Sequence, residues 1–161
     1  MSNCFDRFDR TILFAIQKNN QFTMEELGQQ VGLSKSAVQR RLACIRKSKL
    51  IEAEVAVLNP DELGAYLTFI LVISLKKADE PETMSQAMTR FSEAIDQYDE
   101  VQQCYHVTGA TDYFAVVNVR DKQHFAKFTK ALLYDNLCID RFESSLVVDR
   151  IKVGLTYPFF E

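Results

Sequence analysis

The chain has no tryptophan, three prolines, five glycines, two histidines and four cysteines in 161 residues, and its apolar runs stop at five. Each scarcity removes a class of protein. A bilayer-spanning helix needs roughly 20 consecutive apolar residues, far beyond the run Phe-Ile-Leu-Val-Ile at 69–73. The N-terminus has no basic stretch followed by an apolar one, so the cytoplasm is the expected compartment and a membrane is not an expected partner. Cys4, Cys44, Cys104 and Cys138 are widely separated, form no Cys-x-x-Cys pair and have no histidine spaced to complete a zinc site; they read as structural thiols, with no metal and no cofactor expected. So few glycines also leave no phosphate-cradling loop. What remains is an apolar fraction of 47%, enough to build one ordinary domain or two small ones.

Charge of one sign is short in each half. Residues 1–58 hold nine Lys and Arg against six Asp and Glu, whereas residues 59–161 hold ten against sixteen. A net charge of −3 therefore hides a basic N-terminal part and an acidic C-terminal part. This division predicts a nucleic-acid-binding domain over 1–58 joined to a second domain over 59–161.

Within the basic part, Thr23 and Glu26 form the Ser/Thr-x-x-Glu pattern that opens a helix, Gly32 supplies a residue able to end it, and Ser34 caps the next. Two short helices joined by a tight turn are a helix-turn-helix. From Lys35 to Lys49 there are six basic residues and no acid, while Val38, Leu42 and Ile45 recur at helical spacing. One side of that helix packs and the other is free to meet phosphate. Residues 6–18 predict a preceding helix with Ile12, Leu13 and Ile16 as its buried stripe. The alternation at 51–57 predicts a strand, followed by a turn at Asn59, Pro60 and Asp61.

Beyond the boundary the pattern predicts a strand over 66–76, a helix over 82–97, strands over 101–108 and 113–119, a helix over 122–134 and a strand over 142–148. That βαββαβ order is the ferredoxin-like split βαβ unit, with two helices on one face of a four-stranded antiparallel sheet. The fold class is therefore α+β. A sheet covered on one face should alternate apolar and polar residues. Residues 66–75 do not: Tyr66, Thr68, Ile70 and Val72 oppose Leu67, Phe69, Leu71, Ile73 and Leu75. The strand at 113–119 repeats this, so a second copy of the chain is expected on the open face.

These residues together resemble the Lrp/AsnC family of bacterial and archaeal regulators. The resemblance rests on Phe8-Asp9-Arg10-Thr11-Ile12-Leu13, Glu26-Leu27, Val31-Gly32-Leu33-Ser34 and Leu58-Asn59-Pro60. It continues through Val101-Gln102-Gln103-Cys104, Val107-Thr108-Gly109-Ala110-Thr111-Asp112-Tyr113, Ile151-Lys152 and Thr156-Tyr157-Pro158, so it spans nearly the whole chain. It implies an N-terminal helix-turn-helix, winged or plain, and a C-terminal ferredoxin-like domain that dimerises, stacks into octamers and binds small effectors, usually amino acids. This chain departs from the family pattern at Lys35, where proline is frequent, and at Ala110, where an acid is frequent.

Ser36, Gln39, Arg40, Ala43 and Lys47 share the helix face opposite Val38, Leu42 and Ile45 and would enter the major groove. Gln39 suits adenine and Arg40 guanine, while Lys35, Arg41, Arg46 and Lys47 suit phosphate. The alternative for such a face is a solvated charged surface. In the loop Val107, Thr108, Gly109, Ala110, Thr111 and Asp112, backbone N–H groups suit an α-carboxylate and Asp112 an α-ammonium. Read without the resemblance, the same residues make an ordinary hairpin. Arg141 is a candidate to complete the site. Cys104 and His106 share a strand face, but no acid orients the imidazole and no nucleophilic centre is inferred; His124 likewise has no catalytic company.

The expected function is a homo-oligomeric, sequence-specific regulator on double-stranded DNA whose C-terminal domain senses an amino acid or related metabolite. Two rivals are an architectural DNA-wrapping protein without a ligand and a small enzyme with a ferredoxin-like domain.

Overall fold

The computed structural model describes residues 5–158 except 61, 65, 77–80, 135 and 137, and leaves aside the side chains of 81–83. Cys4 and Asp61 thus lie outside the described residues. The chain divides into two compact units, one of 1–57 together with the segment from Ile151 onward, the other Leu58–Arg150.

The first unit holds three helices, α1 (Arg7–Lys18), α2 (Met24–Val31) and α3 (Lys35–Lys47). Each start is set by a side chain that satisfies orphan N–H groups. Asp6 and Asp9 form a reciprocal capping box on α1, Thr23 and Glu26 form another on α2, and Ser34 accepts from Ala37 N on α3. Gly32 ends α2 in the left-handed region at φ 70°. Gly28 is needed for a different reason: a Cβ there would stand 2.6 Å from the Leu33 carbonyl oxygen, so the turn can close only over a residue without a side chain. Ile12, Leu13, Leu27, Val31, Val38, Leu42 and Ile45 make the core. Their spacing puts one stripe of each helix inside.

One segment of this unit differs from expectation. Residues 51–57 form no strand and have no ladder partner among the described residues, with Val55 and Val57 71% and 85% exposed. Alternation shapes a strand but does not supply the neighbour whose backbone groups complete it. The segment from Ile151 groups with the helices of this unit. The Gln17 side-chain oxygen accepts from Tyr157 N at 2.7 Å, and its amide lies 3.3 Å from the Tyr157 carbonyl oxygen.

The second unit runs β1 (Leu67–Leu75), α4 (Pro81–Ile95), β2 (Val101–His106), β3 (Tyr113–Val119), α5 (Lys122–Thr129) and β4 (Ile139–Leu146). The sheet order is β2-β3-β1-β4 with every pair antiparallel. This is the expected βαββαβ arrangement. The helix over 122–134 splits, however, into α5 and a wider π-helical turn over Lys130–Tyr134. β4 also begins at Ile139 rather than 142, because buried Ile139 pairs with Leu75 across a bulge.

Phe69, Leu71, Ile73 and Leu75 of β1 and Tyr113, Ala115, Val117 and Val119 of β3 face the core with Phe91, Ile95, Phe128 and Leu132 from the helices. Phe69 and Phe125 stack with ring centroids 3.7 Å apart. The opposite face is open. Ile70 and Phe114 stand there 41% and 39% exposed, with Tyr105 at 55% beside Phe114 in the ladder. Among the described residues no helix is long and apolar enough to cross a membrane.

Candidate nucleic-acid interface and effector loop

Helix α3 buries Val38, Leu42 and Ile45 and leaves Lys35, Ser36, Gln39, Arg40, Ala43, Arg46 and Lys47 exposed. Its start is set by the Ser34 cap and its end by Ser48, whose hydroxyl donates to the Ile45 carbonyl at 2.6 Å. The seven cations and polar groups inferred from sequence do not stand alike. Lys35, Ser36, Gln39, Arg40 and Lys47 are exposed on the helix. Arg46 is paired in a fork with Glu54, Nε to Oε1 at 2.8 Å and Nη2 to Oε2 at 3.2 Å. That pair holds the Glu54 carboxyl below its ordinary value, with Asn20 assisting. Arg41 turns away to Asp6 and Asp9 on α1, at 2.7 and 2.8 Å.

In the second unit, residues 107–112 join β2 to β3, with Val107 N donating to the Asp112 carbonyl at 2.9 Å. Thr108, Gly109 and Ala110 are exposed, and their backbone N–H groups have no partner among the described residues. The polar side chains at the far end of the loop anchor it to β1. Thr111 Oγ1 donates to the Ile73 carbonyl at 2.7 Å, and Asp112 Oδ2 accepts from Leu75 N at 2.7 Å. Ser74, whose hydroxyl lies 3.4 Å from that of Thr111, pairs across the ladder with Arg141.

A cleft of about 450 Å³ opens beside the base of this loop, between α4 and the edge strand β2. Ser92 and Asp96 line one side, Gln103, Cys104 and His106 the other, with Tyr113 at its floor. Sequence reasoning found Cys104 and His106 but missed Ser92 and Asp96, since only packing sets a helix against a strand edge. Burial pushes the Cys104 thiol up from its ordinary value, which keeps it protonated and unreactive. His124, the other histidine, binds Glu100 through Nε2 at 2.7 Å and serves the start of α5. Among the described residues no group of acids, cysteines and histidines could hold a metal ion.

A reader helix in one unit and an acidic sheet domain with an exposed donor loop in the other are a regulator's parts, and the comparisons agree. The AsnC-type helix-turn-helix domain matches residues 5–43, and the Lrp/AsnC ligand binding domain matches residues 73–156. The chain belongs to the Lrp/AsnC family. An uncharacterized HTH-type transcriptional regulator of Sinorhizobium fredii is 37% identical over 153 residues, covering 95% of this chain and 88% of its own. The leucine-responsive regulatory protein of Escherichia coli is 29% identical over 147 residues, covering 91% and 87%. Among solved structures, a transcriptional regulator of Neisseria meningitidis in complex with L-Met aligns at a TM-score of 0.86 and 28% identity, covering 96% of each chain. AsnC of Escherichia coli, at 21% identity and a TM-score of 0.80, shares the fold. This Lrp/AsnC chain is thus a transcriptional regulator with a ligand-binding domain, in a family of regulators rather than enzymes.

Proposed function

We propose that the protein binds specific duplex DNA through α3, assembles as a homo-oligomer through its open sheet face, and senses an amino acid at the loop 107–112. The observation that carries this reading is the exposed row Lys35, Ser36, Gln39, Arg40 and Lys47 set back to back with a buried apolar stripe. Gln39 can donate to and accept from an adenine edge, and Arg40 can donate twice to a guanine edge; Lys35, Ser36 and Lys47 suit phosphates. Arg46 joins them when a phosphate replaces Glu54 in its fork.

At the loop, the free N–H groups of Thr108, Gly109 and Ala110 hold the α-carboxylate, and Asp112 offers its second oxygen to the α-ammonium. Val107 and Thr111 frame the loop, and Arg141 adds a cation beside it. The Neisseria relative solved with L-Met supports an amino-acid ligand for this class of domain. Ligand binding acts on DNA affinity through its differential affinity for the assemblies, and the coupling is reciprocal.

The test is thermal unfolding of the full chain against a panel of the common amino acids, repeated with Asp112→Asn. An effector at 100 times its dissociation constant adds about 2.7 kcal/mol and raises the midpoint. A shift with one amino acid that Asp112→Asn removes names the effector. No shift with any of them, with tight, sequence-independent and steeply salt-dependent DNA binding, returns the protein to the architectural class.

A further inference from the structure

Arg41 stands apart from the other cations of α3. Its Nη1 lies 2.7 Å from Asp6 Oδ2 and 2.8 Å from Asp9 Oδ1, and its guanidinium carbon is 5.5 Å from the Phe8 ring centroid. The side chain is 28% exposed, that of Asp9 17% and that of Asp6 48%, while adjacent Arg40 is exposed. Two carboxylates on one guanidinium leave no excess positive charge at this point. To reach a phosphate, Arg41 would have to abandon charge-assisted hydrogen bonds and leave two acids uncompensated near the DNA backbone.

Those acids are themselves held. Asp6 accepts from Phe8 N and Asp9 N at 2.8 and 2.9 Å, and Asp9 accepts in return from Asp6 N at 3.2 Å. The capping box of α1 therefore presents two hydrogen-bonded carboxylates to a residue in the second turn of α3.

We infer that Arg41 is a positioning residue for sequence readout, which with Asp6 and Asp9 sets the orientation in which α3 presents Gln39 and Arg40. This rests on the reading that α3 enters the major groove. Bidentate base contacts work only within a narrow range of distance and angle. Loss of the brace therefore removes discrimination between sequences, whereas loss of a phosphate ligand weakens all sequences alike.

The experiment uses the full chain, a duplex selected from a random pool by the wild-type protein, and an unselected duplex of equal length, each titrated across a salt series. Arg41→Ala is expected to lose about tenfold of the preference for the selected duplex with the salt slope unchanged, while the unselected duplex weakens only by the smaller effect of two uncompensated acids. Arg41→Gln, which keeps donors toward Asp9 without the charge, recovers part of that preference. Asp6→Asn with Asp9→Asn, which keeps the helix cap, reproduces the loss while the unselected duplex binds more tightly. Should Arg41→Ala fail to fold, the Gln and Asn variants make the same comparison. Equal losses on both duplexes with a slope smaller by about one would make Arg41 a phosphate ligand and overturn the inference. Preference left intact in the double Asn variant would also overturn it. A wild-type chain with no preference for any duplex removes the readout reading first, and this role with it.

Discussion

Asp112 accepts a hydrogen bond from the backbone N–H of Leu75 at 2.7 Å, which ties the loop at 107–112 to the end of β1 where the ladder with β4 shifts register. The residue proposed to meet the effector also closes a gap in the sheet. Asp112→Ala is expected to lower stability by about 1–3 kcal/mol, the cost of an orphaned half-buried N–H. Asp112→Asn keeps an acceptor and should lie near wild type in urea unfolding. The pair of variants separates the sheet's need from the ligand's need, because only the charge is absent from the second.

Gly28→Ala is expected to destabilise the N-terminal unit by about 1–3 kcal/mol, since its new methyl would meet a backbone oxygen rather than a side chain that can swing away. Urea unfolding followed by helical circular dichroism measures this. A neutral effect would mean that the turn between α2 and α3 yields, and the reader described above would have to be reconsidered.

Acid should loosen the same unit. The backbone N–H and hydroxyl of Thr23 hold Glu26 below its ordinary 4.5, and Asp9 N with Arg41 hold Asp6 below its ordinary 3.8. Lowered folded values mean stabilisation that is complete above the ordinary values and lost as pH falls below them. Thermal midpoints of the wild type should therefore drop as pH falls from 4.5, and Glu26→Gln should flatten that drop.

Glu54→Gln should tighten DNA binding a few-fold. The carboxylate occupies the Arg46 fork at 2.8 and 3.2 Å, in the geometry a phosphate would take. Freeing the fork should steepen the slope of affinity against salt by up to about one. An unchanged slope would place Arg46 outside the DNA contacts.

The open sheet face should self-associate. Sedimentation of the wild type is expected to show dimers or larger species at micromolar concentration, and Phe114→Asp, which places a charge between Val72 and Tyr105, should give a folded monomer. A monomeric wild type sinks the assembly proposed above.

Much of this protein was legible along the chain, because the signals concerned act over a turn or a strand. The capping box at Thr23 and the cap at Ser34 mark helix starts within three residues of their partners. The two-sided apolar pattern of residues 66–75 announced a sheet with an uncovered face, and Ile70 and Phe114 stand exposed on it. Other features had no local signal. Arg41 looks like its basic neighbours until Asp9, 32 residues away, is placed beside it. Asp112 looks like a turn residue until Leu75, 37 away, presents an N–H. Gln17 gives no hint of Tyr157, 140 residues on. Residues 51–57 have a strand's alternation and no ladder partner among the described residues. Periodicity and capping are properties of the chain itself, so the sequence determined which elements form and which faces are apolar. Which charge is spent inside and which is left for a ligand depends on groups brought together from a distance, and only the tertiary structure decided that.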